Sequence, residues 1–198
     1  MGTIILKNEK SPIMIVVWAI ILFVSSSFIP FILVSIIHSS FFKNPNQWLF
    51  IAPGQGYVTF MAGMFWISFV LFLYVFIQYK YQMKFIRWIA LALFSLSIPL
   101  FMFGSAHYYY FDENGLHYNE LDSFNQTTVY DWSSFKEVKQ VYANRPTNNA
   151  RYLDSYQFIM PDNRHIVVPY GSDLRRNEKR ILVKLERSQV KVTDNYYE

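Results

Sequence analysis

The stretch HYYYFDENGLHYN, residues 107–119, decides how the chain is read. An apolar run ending in LFMFG stands directly before it, and the tetrapeptide DENG sits between two aromatic segments. Asn-Gly flanked by such segments is a strong short-range hairpin signal, because a primed turn needs positive φ at its central residues. Gly115 is therefore expected at a positive-φ position. A chain that goes from an apolar run straight into a tyrosine-rich hairpin is starting a β domain at a membrane surface, where amphipathic rings such as Tyr108, Tyr109 and Tyr110 suit the interface.

N-terminal to the hairpin the chain is unusually apolar. Over all 198 residues the hydrophobic content is 53% and the aromatic content 20%, against 16% charged, while the mean hydropathy is only +0.13. The apolarity is concentrated in three runs, residues 13–37, 57–77 and 88–104, each free of Asp, Glu, Lys and Arg. A helix needs about 20 apolar residues to cross the hydrocarbon layer, so these runs predict three transmembrane helices within residues 1–104. Pro30 and Pro99 are tolerable there because neighbouring helices and Ser side chains can satisfy freed carbonyls. Thr59 and Gly63 form a small-xxx-small pair suited to helix contact. The first run is much longer than a signal-peptide apolar region and is read as an uncleaved helix.

Charge gives an orientation. Up to Gly104 there are six basic residues, Lys7, Lys10, Lys43, Lys80, Lys84 and Arg87, against Glu9 alone, a net of +5. The remaining 12 Lys/Arg and 13 Asp/Glu leave the rest of the chain at −1, so there is no basic soluble part to bind nucleic acid. Basic flanks alternate with poor ones, which predicts a cell-membrane, multi-pass protein with a cytoplasmic N-terminus and the C-terminal domain outside. A re-entrant span would return that domain to the cytosol.

Residues 105–198 read as β structure closed by a helix. Strands are expected at 107–111, 116–119, 127–130, 137–142, 152–160 and 165–168, with a break at 131–134 and turns at DENG and PDNR. Tyr152, Tyr156, Phe158 and Met160 should share one face. Residues 172–187 form an amphipathic helix capped by Ser172, with Leu174, Ile181, Leu182 and Leu185 as its apolar stripe. Arg175, Arg176, Lys179, Arg180, Lys184 and Arg187 cover the remainder. That basic surface is either a solvated face or a dock for anionic headgroups or an acidic partner.

Aromatic strand, DENGL hairpin, VYDWSSFKEV, an aromatic hairpin turning at PDNR and one C-terminal helix: this order resembles the bacterial pleckstrin-homology-like domain, often tethered behind transmembrane helices. Gly115, Leu116, Trp132, Phe135, Val138, Tyr156, Phe158 and the Asp162–Asn163 turn carry the resemblance. It implies a small curled antiparallel sheet closed at one end by the helix, with Trp132 and Phe135 buried where the helix meets the strands. It does not imply phosphoinositide binding, since one fold hosts many functions.

Catalytic chemistry is not indicated. There is no cysteine, so disulfides, thiolate catalysis and cysteine-ligated metals are excluded. His38, His107, His117 and His165 form no HExxH or i,i+4 pair. Two facing ligands, His107 and His117, make a poor metal site without a third. Gly54 and Gly56 are too closely spaced for a phosphate loop, and Ser133 and Ser134 lack the glycines of a nucleophile elbow. The acids Asp112, Glu113, Glu120 and Asp122 read as solvated turn residues. The expectation is a non-enzymatic integral membrane protein without a cofactor or metal. It would present a pleckstrin-homology-like module to a protein or membrane-surface partner, with the bilayer, a protein or its own copies as partners. The alternative is an accessory subunit of a transporter or of an envelope stress or immunity system, whose spans do the recognising.

Overall fold

The computed structural model describes residues 10–81, 85–123, 126–145, 147–148 and 150–197. Lys7 and Lys84 of the orientation argument lie outside the described residues. The chain is mixed helix and sheet and divides into two units. One comprises Met1–Lys43, Ala52–Tyr108 and Asn119–Gln126, the other Asn44–Ile51, Tyr109–Tyr118 and Thr127–Glu198. A division at Gly104 therefore does not describe the chain: an eight-residue piece from between the first two apolar runs belongs with the β structure.

The first unit is helical. The apolar run at 13–37 is two helices, α1 (Lys10–Ser25) and α2 (Ile29–Ile37), and α2 runs on as a π-helical turn over His38–Phe42. The two segments, Pro12–Ser25 and Ile29–Phe42, are bent by 71°. Pro30 causes the break: it has no N–H to donate to the Ser26 carbonyl, and its ring clashes there. Ser26 Oγ instead donates to the Phe23 carbonyl at 2.6 Å. Next come α3 (Gly54–Tyr81), α4 (Ile86–Ser95) and α5 (Ser97–Ala106), with Pro99 just past the α4–α5 junction. Gly54–Tyr81 and Ile86–Ala106 are each long and apolar enough to cross a membrane, and the bent pair makes up to three such spans.

Contacts along α3 are in order from end to end. Ile15 shares a groove with Leu71 and Tyr74, Ser68 Oγ donates to the Ala19 carbonyl at 2.8 Å, and the Phe23 and Phe65 rings are 5.2 Å apart. Phe31 stacks on Tyr57 at 5.3 Å. Beyond α2, His38 Nε2 donates to the Ser105 carbonyl at 2.7 Å. Helices α3 and α5 pack through glycine. A Cβ on Gly56 would meet the Gly104 carbonyl at 2.8 Å, and one on Gly63 the Phe101 ring at 2.7 Å. Thr59 is half-buried, and its hydroxyl donates to the Gln55 carbonyl of its own helix. The small-residue face is Gly56 and Gly63, two turns apart.

The second unit holds β1 (Leu49–Ile51), β2 (Tyr108–Phe111), β3 (Gly115–Asn119) and β4 (Thr127–Asp131) in one sheet of that order, Tyr108 and Asn119 themselves belonging to the first unit. A 3-10 turn at Trp132–Ser134 leads to β5 (Glu137–Asn144), β6 (Arg151–Ile159), β7 (His165–Pro169), α6 (Ser172–Arg187) and β8 (Lys191–Asp194). The second sheet runs β7-β6-β5-β8. Its hairpins are antiparallel, but β8 joins β5 in parallel after the α6 crossover. Strands β1 and β8 were not expected from the sequence.

Three local expectations need correction. No described residue of DENG has the positive φ of a primed turn before Gly115. Asp112 makes an Asx-type turn instead, its Oδ1 accepting from the N–H of Asn114 at 2.8 Å and of Gly115 at 3.2 Å. Tyr152 is exposed rather than on the face of Tyr156, Phe158 and Met160. The β5–β6 register slips between Val141 and Tyr142, skipping Asp154, so parity inverts and Leu153 turns inward in its place. Gly171, not Ser172, occupies the cap position of α6, and no side chain caps it.

The core of this unit lies between the sheets and α6. Phe111 and Phe158 are 5.1 Å apart, and Phe135 and Phe158 5.3 Å. Trp132 lies 5.8 Å from Phe111 and 5.9 Å from Trp48. Trp132 is 5% exposed and Phe135 4%, in one cluster with Leu174, Ile181 and Leu185.

Candidate functional site

Helix α6 forms because Leu174, Ile181 and Leu185 recur at helical spacing and bury against the strands. Its C-terminus is closed by a left-handed residue, Gln189 at φ 57°, after which Val190 donates to the Leu185 carbonyl. Asp173 in the first turn and Lys184 and Arg187 in the last complement the helix dipole.

The six basic residues have two different fates. Lys184 is drawn inward. Its Nζ is 2.6 Å from Glu113 Oε2, donates to the Glu113 carbonyl at 3.2 Å and lies 5.8 Å from the centre of the Trp48 ring. Arg175 covers the Tyr170 ring at 5.4 Å. Arg176 reaches Asp173 at 3.9 Å, but both are largely exposed, and such pairs add little. No carboxylate among the described residues pairs with Lys179, Arg180 or Arg187, all exposed. At about 100° per residue, Arg176, Lys179, Arg180 and Arg187 fall within an arc of about 100° opposite the buried stripe.

Glu178 does not neutralise this face, because it turns the other way. Its Oε1 accepts from the Tyr156 hydroxyl at 2.6 Å and its Oε2 from the Tyr170 hydroxyl at 2.8 Å. Gln140 Nε2 in turn donates to the Tyr156 oxygen at 2.7 Å. Burial, then the bond and charge of Glu178, raise the phenol pKa of Tyr156, and Tyr170 is raised in the same way. Asn177 ties the helix to β1's approach, donating from Nδ2 to the Trp48 carbonyl at 2.6 Å. Sequence reasoning missed the Tyr156–Glu178–Tyr170 set. The available signal was a glutamate two turns from an inward leucine, in the middle of a helix rich in Lys and Arg.

The other singled-out residues are structural. Gly115 has φ +157°, and a Cβ there would sit 2.1 Å from the Tyr130 carbonyl oxygen. Trp132 Nε1 donates to the Asp112 carbonyl at 3.2 Å, locking the 3-10 turn to the hairpin. His117 Nε2 lies 3.0 Å from Asp112 Oδ2 and its ring stacks on Tyr110 at 4.4 Å, whereas His107 Nδ1 donates to the Asn119 carbonyl. Among the described residues no three His, Asp or Glu gather as metal ligands. The exposed side of α6 is thus a cationic face. No protein-family model, curated protein or solved structure matches this chain.

Proposed function

We propose that this is a non-enzymatic integral membrane protein with three spans, carrying a pleckstrin-homology-like module whose α6 docks an acidic surface. The observation that carries this reading is the exposed arc of Lys179, Arg180 and Arg187, with which no carboxylate among the described residues pairs. Each such cation near an anionic surface adds about 1 kcal/mol. The likeness to the pleckstrin-homology-like fold is supported by two sheets around one core with a helix against it, the order of elements its sequence suggested.

Three spans are supported by the α3 contacts. The bent α1–α2 pair touches α3 from Tyr74 to Tyr57, about 26 Å of helix rise at 1.5 Å per residue, close to the roughly 30 Å hydrocarbon thickness. A re-entrant loop would return to the end at which it entered. Antiparallel pairing of β1 with β2, at Leu49↔Phe111 and Ile51↔Tyr109, supports one common side for Asn44–Ile51 and the C-terminal strands. The charge bias makes that side the outside.

A photo-reactive amino acid at Val183, between the cations on α6, tests the docking reading in native membranes. An adduct is expected, and Lys179→Gln, Arg180→Gln and Arg187→Gln together should abolish it. The adduct's mass separates a protein from a lipid. An adduct unaffected by the triple substitution, or none, rejects the reading.

A further inference from the structure

At one end of the helical unit, α1, α3 and α4 leave a groove of about 200 Å³ whose walls include Ile15, Leu71, Leu91 and Phe94. Tyr74 and Arg87 are the lining residues that carry polar side-chain groups. Among the described residues no carboxylate pairs with Arg87, and the hydroxyl of the half-buried Tyr74 has no hydrogen-bond partner. Exposed rings at the same helix ends, Tyr79, Tyr81 and Trp88, form the aromatic band found where helices meet headgroups.

We propose that this groove is a binding site for an anionic phospholipid, with an acyl chain along its apolar walls and the headgroup phosphate held by Arg87 and Tyr74. The walls call for an apolar occupant, and in a bilayer the surrounding medium supplies acyl chains. The guanidinium fork matches two phosphate oxygens at once. The charge calls for a net anion: a zwitterionic lipid brings its own cation to a band that already holds Lys80 and Arg87. Basic pockets between helices on the cytoplasmic side recognise anionic headgroups by this physics. The site uses neither α6 nor its partner and stands apart from the docking reading.

Native mass spectrometry of the full chain, released from nanodiscs of phosphatidylcholine containing a minor share of phosphatidylglycerol, reads the site directly. The wild type should retain phosphatidylglycerol in preference to phosphatidylcholine. Arg87→Gln should lower that retention about tenfold, the scale of a lost charge-assisted bond. Arg87→Lys keeps the charge but loses the fork, and should fall between the wild type and Arg87→Gln. Leu91→Trp fills the groove with the charge intact and should lower retention as much as Arg87→Gln. The triple substitution on α6 should change nothing, which separates this site from the docking face. Equal retention of the two lipids by the wild type overturns the proposal. So does full retention in either Arg87→Gln or Leu91→Trp, or loss of the preference in the α6 triple variant.

Discussion

The Tyr156 hydroxyl on β6 donates to Glu178 on α6 at 2.6 Å, so the one acid in the middle of the cationic helix is held against the sheet. The bond has a pH signature. Burial and Glu178 raise the Tyr156 phenol pKa above its ordinary value near 10, and burial raises Tyr109 likewise. Above about pH 10 the unfolded chain releases phenolic protons that the folded chain keeps, so stability falls as pH rises. The stabilisation is fully present below pH 10. Each such phenol adds a slope of about 1.4 kcal/mol per pH unit in that window. Tyr156→Phe should cost ~1–3 kcal/mol at pH 7 by stranding one Glu178 oxygen and Gln140, and should flatten the alkaline loss. Hydrogen exchange in β5 and β6 of the full-length protein, from pH 7 to 11, measures both. An unchanged profile in the variant would remove Tyr156 from the argument.

Gly115→Val should be among the most destabilising single substitutions in the β unit. The contact of a new Cβ with the Tyr130 backbone carbonyl, at 2.1 Å, involves an atom whose place the backbone fixes and cannot be relieved by a rotamer. Strain of this kind costs on the order of 1–3 kcal/mol before any separation of β3 from β4. Gly115→Ala should already show most of the loss, because Cβ alone makes the clash. A chemical-denaturation midpoint of the full-length protein that is equal for wild type and Gly115→Ala would show that the hairpin sits elsewhere.

Trp48 should behave as a core residue of a domain whose other strands begin 60 residues later. It stacks on Trp132, lies under Lys184 and gives its carbonyl to Asn177. Trp48→Ala should cost about 2–3 kcal/mol, somewhat below the 3–5 of a fully buried aromatic. Amides of β1 should exchange as slowly as those of β2. Rapid exchange at Leu49–Ile51 would return that segment to the loop class.

What the sequence displayed and what it hid follow from how far each signal travels. The α6 limits, Ser172–Arg187, were legible because a 3.6-residue stripe and its flanking turns are local. The strands from β2 to β7 were legible for the same reason, as runs between turn residues. Strand β1 was not: Leu49–Ile51 is three residues long, and only pairing with Phe111, Tyr110 and Tyr109 makes it a strand. The Tyr152 misplacement came from a bulge, which period-two reading cannot see. The cationic face of α6 was legible as composition, yet its unpaired part was not. Lys184 leaves that face by finding Glu113, a contact between residues far apart in the chain.

The side of the membrane occupied by the β unit can be decided with single cysteines, because the native chain has none. Strand pairing requires Asn44–Ile51 and the C-terminal strands to share a side, whichever side it is. Charge bias predicts that the segment between α3 and α4, flanked by Lys80 and Arg87, faces the cytoplasm. Cysteines at Asn46 and Thr147, both exposed, should therefore react with a membrane-impermeant maleimide in intact cells, and one at Tyr81 should not. Opposite outcomes at Asn46 and Thr147 would break the β1–β2 pairing and with it the assignment of Trp48 to the core. Protection at both with labelling at Tyr81 would leave the pairing intact and reverse the orientation. The cationic face of α6 would then stand on the cytoplasmic side, where the inner leaflet is the anionic surface at hand.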